Sequence, residues 1–200
     1  MFPLRTTDYD FLMRVIAGQY RSRPLQSLPG QDTRPTSDRL RESLFDVLTA
    51  GNPEALRGSE WLDLFAGTGA VGIEALSRGA RRVWFVESSH AAAQVIRGNL
   101  RALGIRDAAE VLHDEVRTAL RLLDGQGAQC DFCFLDPPYR LEGAYAATFD
   151  GLGRAQILRA GAVVIAEHDK RFDPGEEHGA LRRYRLMKQG DAALSFYRMR

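Results

Sequence analysis

Four consecutive residues, Asp136-Pro137-Pro138-Tyr139, combine an acid, a stiff turn and an aromatic ring. The prolines hold the backbone geometry of the turn. A carboxylate and a neighbouring backbone carbonyl can both accept hydrogens from one NH2 group. A ring a little further on can stack on a flat base, worth about 1–3 kcal/mol. The exocyclic amine of a base is a poor nucleophile because its lone pair is conjugated with the ring. Two acceptors aimed at its hydrogens favour the pyramidal form that attacks. The plainer reading of the tetrapeptide is a strand-ending proline turn with a packed tyrosine.

A second constellation lies upstream in WLDLFAGTGAVG, Trp61 to Gly72. Gly67, Gly69 and Gly72 fit G-x-G-x-x-G, and Glu87 follows Gly67 by twenty residues, as in a dinucleotide-binding loop. Several ligand classes need such a turn, so the glycines alone do not choose among them. Asp63 does: a carboxylate beside a pyrophosphate would repel it, whereas an ammonium or sulfonium charge would be favoured there. S-adenosyl-L-methionine carries both, with a ribose diol for Glu87 and an adenine amino group for Asp114. Asp63 could instead cap a turn or helix, and Asp114 could cap the helix that begins at Glu115. Glu87 ends a strand of valine and phenylalanine, and such an acid needs a partner.

Alternating elements would position these residues. WLDLF, RVWFVE, AEVLH, CDFCFLD and AVVIAEH read as strands. Between them AVGIEALSRG, HAAAQVIRGNLRALG, EVRTALRLLDG and the stretch around 143–158 read as helices, two of them closed by Gly79 and Gly104. This rhythm predicts a mostly parallel sheet covered on both faces. Ligands of such sheets sit beyond the carboxyl ends of the strands. Asp63, Glu87, Asp114 and Asp136 all fall at or near those ends. The runs flanking Gly190-Asp191 predict a closing antiparallel hairpin. Upstream, RVIAGQYRSRPLQSL suggests a short ribbon, and Leu40, Leu44, Val47 and Leu48 mark a helix that Thr36 or Ser37 can cap. GNPEALRGS reads as a linker.

The bulk properties exclude several classes. Two hundred residues suit one domain with a small appendage. No run of about 18 apolar residues exists to span a membrane, and the N-terminus lacks a secretory h-region, so the cytoplasm is expected. Cys130 and Cys133 stand three apart on a predicted strand, which points them to opposite faces. They are read as reduced core thiols rather than a redox or zinc pair. His90, His113, His168 and His178 have no ligand spacing, so no metal is expected. The net charge is only +1, but residues 13–41 carry a local +4 and residues 181–200 a local +5, nearly all from arginine. Such segments are either solvated surface or a phosphate-binding face.

DLFAGTG together with DPPY resembles the class I S-adenosylmethionine-dependent methyltransferases that act on amino groups of nucleic-acid bases. RVIAGQYRSRPL and TRPTSDRLRESLFDVL upstream of it resemble more specifically the RsmD family, bacterial 16S rRNA guanine-N2 methyltransferases. The resemblance runs from about Met13 to the C-terminus and leaves residues 1–12 as an unexplained, loose extension. It implies a Rossmann-like seven-stranded sheet with an antiparallel last strand and helices on both faces. Residues 13–58 would be an RNA-binding hairpin and helix, and residues 59–200 the methyltransferase domain. Asp63, Phe65, Gly67, Thr68, Gly69, Glu87 and Asp114 would hold the cofactor, and Asp136, Pro137 and Tyr139 the target guanine. Arg34 and Thr36 would sit near the mouth of the site, and Arg14, Arg21 and Arg23 on RNA phosphates. The expected partner is 16S rRNA, in the small subunit or an assembly intermediate, and the expected state a monomer. Three other readings remain at this level. A DNA adenine-N6 methyltransferase would use the same tetrapeptide, but 200 residues leave little room for a recognition domain. An NAD oxidoreductase leaves Asp63 and DPPY without purpose. A non-catalytic RNA-binding protein of this fold would not need an intact set of acids and glycines.

Overall fold

The structure, a computed structural model, describes residues 13–28, 38–138 and 141–199. Tyr139, Arg34, Thr36, the expected cap Ser37 and the extension 1–12 lie outside the described residues.

After helix α1 (Asp38–Thr49) the chain alternates as the pattern predicts: β1 (Glu60–Leu64), α2 (Ala70–Ser77), β2 (Arg82–Val86), α3 (His90–Leu103), β3 (Ala109–Leu112), α4 (Val116–Gly125), β4 (Cys130–Leu135), α5 (Glu142–Arg154) and β5 (Leu158–Asp169). It closes with β6 (Glu177–His178), β7 (Leu181–Gln189) and β8 (Ala192–Met199). The spatial order is β3-β2-β1-β4-β5-β8-β7-β6. The first five strands are parallel, and β8 runs antiparallel between β5 and β7. The turn at Gly190-Asp191 makes the β7–β8 hairpin, with Gly190 at φ 62°.

One apolar cluster on one face joins residues of α1, α2 and α3 to the sheet, and a second on the other face joins those of α4 and α5. The layered architecture is therefore the expected Rossmann-like one. The count differs by one: β6, two residues paired with β7, makes an eighth strand. Two residues carry no legible alternation, so the sequence pattern passes over it. Strand β5 also begins at Leu158, where the helical reading was expected to end. Leu158 pairs with Cys130 before the register shifts, and Val163 then meets Phe132. That irregularity also corrects the cysteines. Both are fully buried, but in the same cluster and not on opposite faces.

Residues 13–28 form a ribbon with a single antiparallel bridge, Arg14 to Pro24, closed by backbone hydrogen bonds such as Leu25 N–H to the Met13 carbonyl (2.7 Å). The ribbon lies along α2. Two oxygens of buried Glu74 accept from the backbone N–H groups of Ile16 (2.8 Å) and Ala17 (3.0 Å). Ser77 Oγ donates to the Ala17 carbonyl and accepts from Tyr20 N–H. This cover is why α2 is buried all round, although it follows an exposed-type turn. Met13, Val15, Leu25, Leu44 and Phe45 share one core with the sheet, so the N-terminal part packs as an integral layer.

Candidate active site

Strand β1 delivers its last residues to the carboxyl edge and turns sharply. Phe65 takes φ 58° without being glycine, a conformation that costs on the order of 1–3 kcal/mol and concentrates at functional sites. Gly67 (φ 56°) and Gly69 (φ 78°) follow. The three glycines do different work. A β-carbon on Gly67 would meet nothing within 4 Å, so the loop is open on that side. On Gly69 it would press on Ile96 and Phe85 at 3.2–3.3 Å. On Gly72 it would lie 2.4 Å from Phe85, so that glycine exists to bring α2 against the sheet.

The acids hold this loop. Asp63, 2% exposed, accepts the Gly72 N–H at 2.9 Å through Oδ2, which is the capping role left open by its sequence. Burial pushes its carboxyl up to about 8 against the lowering effect of that hydrogen bond, and Glu87 adds to the rise. Half-buried Glu87 finds the partners its position demanded. Its two oxygens accept from Gly67 N–H (2.8 Å) and Ser89 N–H (2.8 Å). Asp114 is exposed past β3 and makes no hydrogen bond among the described residues. The cap residue of α4 is Glu115, so Asp114 does not cap that helix.

Thr68 is tied to the ribbon. Its hydroxyl donates to Met13 Sδ at 3.6 Å, and its carbonyl accepts from Asn99 Nδ2 at 3.1 Å. Asn99, 1% exposed in α3, also pairs with both backbone groups of Gln26, at 2.7 and 3.2 Å. Both ends of the ribbon therefore meet the glycine loop. Asn99 was missed in the sequence because an asparagine within a helical period reads as surface.

Asp136 follows β4, its N–H directed at the Leu64 carbonyl (3.4 Å) and its backbone continuing into buried Pro137. The residue is half-buried, but its carboxyl lies among protein atoms. Burial first, then Glu167 and Asp63, push that carboxyl well above the ordinary carboxylate range. Glu167, 4% exposed in β5, is a second residue the sequence reading passed over. Its signal was the one used for Glu87, an acid in a run of valine, isoleucine and alanine.

The edge thus gathers Asp63, Phe65, Gly67, Thr68, Gly69, Glu87, Asp136 and Pro137, with Asp114 at its rim. It does not gather all the arginines. Arg14 is exposed and pairs with Asp38 at 3.4 Å, near the start of α1. Arg41, fully buried, donates to the Arg14 carbonyl and to Asp38, both at 2.7 Å. Arg21 and Arg23 sit beside Gly18 and Ala102, at the C-terminal ends of α2 and α3. The eight residues of α2 separate the Gly18 turn beside Arg21 from the loop by about 12 Å, whereas Arg23 meets α3 three residues beyond Asn99. No group of metal-binding side chains forms among the described residues. His168 bonds Ser195 Oγ at 2.9 Å, and His178 stacks on Phe149.

Known proteins are similar to this chain. The family described as "Conserved hypothetical protein 95" matches residues 13–198. The chain is 34% identical to YlbH of Bacillus subtilis over 188 residues, 94% of this chain and all of that protein. It is 36% identical to "Ribosomal RNA small subunit methyltransferase D" of Haemophilus influenzae over 171 residues, 85% of this chain and 86% of that protein. Among solved structures, "T. Thermophilus 16S rRNA N2 G1207 methyltransferase (RsmC) in complex with AdoMet and Guanosine" superposes with a TM-score of 0.73 at 26% identity, over 95% of this chain and 50% of that one. The glycine loop, the strand-end acids and the proline turn, on a chain related along nearly its whole length to such proteins, place it in one family: it belongs to the RsmD family of ribosomal RNA methyltransferases.

Proposed function

We propose that the protein transfers a methyl group from S-adenosyl-L-methionine to the exocyclic N2 amine of a guanine in 16S rRNA. The observation that carries this is Asp136 and the Pro137 turn at the end of β4, next to a glycine loop that is open at Gly67. The cofactor supplies an electrophilic methyl on a sulfonium. The residues fit it. Buried Asp63 offers a carboxyl whose ionised form the cationic amino-acid end would favour, and the open face of Gly67 admits its close approach. Each Glu87 oxygen accepts one backbone N–H and keeps a lone pair for a ribose hydroxyl. Exposed Asp114 is available to the adenine amine. Phe65, Thr68 and Gly69 complete the cradle.

The Asp136 carboxylate and the Pro137 carbonyl accept the hydrogens of the target amine, holding its lone pair toward the methyl group. Tyr139 stacks on the base once it is splayed from its helix. Catalysis is positioning and electrostatics, with no metal in the scheme. Residues 13–58 form the RNA-facing part, with Arg14, Arg21 and Arg23 on phosphates and Arg34 and Thr36 near the mouth. The substrate is 16S rRNA within the small subunit or its assembly intermediate. The enzyme works as a monomer in the bacterial cytoplasm. No helix among the described residues is long and apolar enough to cross a membrane.

The test is transfer of tritiated methyl from the cofactor to small-subunit particles or 16S rRNA lacking the modification, beside unmethylated DNA, with nucleoside analysis. Label in N2-methylguanosine is expected. Label only in N6-methyladenine of DNA would reassign the substrate, and cofactor binding without any transfer would point to a binding protein.

A further inference from the structure

A carboxylate and a proline carbonyl around an NH2 group serve adenine as well as guanine, so Asp136 and Pro137 alone leave the choice of base unexplained. The two bases differ in the atom beside the amine. On guanine it is N1–H, a donor; on adenine it is N1, a lone pair. A site that selects guanine needs a further acceptor next to the one that holds the amine.

The sheet register supplies a candidate. Leu135 of β4 pairs with Ala166 of β5 in a parallel ladder. The next residues, Asp136 and Glu167, therefore come abreast at the carboxyl edge on adjacent strands, about 4.8 Å apart in backbone spacing, and point to the same face. Asp63, which pairs with Phe134, lies two positions below on that face. Glu167 is 4% exposed and follows directly on the buried run Ala162, Val163, Val164, Ile165 and Ala166 of β5. Its backbone is fixed from the opposite side, where Tyr145 of α5 donates its hydroxyl hydrogen to the Glu167 carbonyl at 2.8 Å. We propose that Glu167 selects guanine, its side chain accepting the N1–H hydrogen while Asp136 accepts from the adjacent N2 amine. Adenine would turn a lone pair toward the Glu167 oxygen and be repelled. The electrostatics agree with this closeness, because the charge of Glu167 raises the proton affinity of Asp136.

This inference rests on the reading of the target as a guanine N2 amine, and the experiment separates the two. After the labelled guanine is mapped, it is replaced in reconstituted small-subunit RNA by 2-aminopurine riboside, which keeps the N2 amine but lacks N1–H. Wild-type enzyme should methylate the analogue about 100-fold more slowly in kcat/KM than guanine, the worth of a charge-assisted hydrogen bond. Glu167→Ala should lose that factor on guanine alone, so that the two substrates become nearly equal. Glu167→Gln, which keeps a neutral carbonyl acceptor, should restore part of the preference, about 10-fold. Cofactor affinity should be unchanged in both variants. A wild-type enzyme indifferent to N1–H would overturn the proposal without any variant. So would a Glu167→Ala enzyme that slows equally on both substrates, which is the mark of a merely structural role. Absence of N2-methylguanosine with the natural substrate would instead strike the function itself.

Discussion

At the scale of single residues, the site is a set of acids whose burial sets their behaviour. Asp136 holds its proton above the ordinary carboxylate range, because burial and the charges of Glu167 and Asp63 oppose ionisation. In the proposed role Asp136 accepts from the amine as an ionised carboxylate, so the single-turnover rate should climb with pH as this proton leaves. A rate that falls over that limb would remove Asp136 from the acceptor role. Asp136→Ala should reduce transfer by about 100–1000-fold, the usual loss for one preorganised polar partner, with cofactor affinity intact by equilibrium dialysis. Equal loss of both would make the residue structural. Asp63 gives a stability prediction. Its folded value of about 8 lies above the ordinary aspartate value of 3.8, so its contribution is fully present below about pH 4 and is lost as pH rises toward about 8. Asp63→Asn still offers an oxygen to Gly72 N–H but does not ionise. Its melting temperature should therefore decline less than wild type's over that interval, and parallel curves would refute the assignment.

Elements come next, and here the informative contact is the ribbon on α2. Glu74 is fully buried, accepts two ribbon N–H groups and pairs with Arg78 at 2.7 Å. Glu74→Ala would strand both donors and should destabilise the protein by about 2–4 kcal/mol. Hydrogen exchange should locate the loss at the amides of Ile16 and Ala17, and protection there equal to wild type would refute it. The ribbon was legible only as a partial alternation punctuated by Gly18 and Pro24. Its docking was not legible, because Glu74 in GIEALS reads as an ordinary surface position of an amphipathic helix. Likewise β6 and the early start of β5 depend on partners far along the chain, which local patterning does not encode.

For the whole molecule, the question is which basic surface meets RNA. Much of the C-terminal charge is engaged internally: Arg183 with Asp173 and Glu176, Arg182 with Glu177, and Arg198 over the ring of Tyr184. Arg21 and Arg23 of the N-terminal part are freer. Arg21 is exposed, and Arg23 makes one bond to the Ala102 carbonyl at 3.0 Å. Replacing both with alanine should weaken RNA binding and lower the slope of log affinity against log salt by roughly 1.4–1.8, two phosphate contacts' worth. Because neither side chain bonds the glycine loop, kcat at saturating RNA should hold. An unchanged salt slope would sink the proposal that this face binds phosphate.

The sequence by itself determined the alternation of strands and helices, the edge where the strand-end acids fall, and the identity of the loop and turn that line it. These features are local: period, glycine position and proline stiffness are properties of a few neighbouring residues. Tertiary structure decided the rest. It made Asp63 a partner of Gly72, gave Glu87 to Gly67 and Ser89, tied Arg23 to the Ala102 carbonyl, and put Glu167 beside Asp136. Each of these depends on which strands and helices lie abreast, and register between distant segments is fixed by the packing of whole faces, which no short stretch of chain specifies.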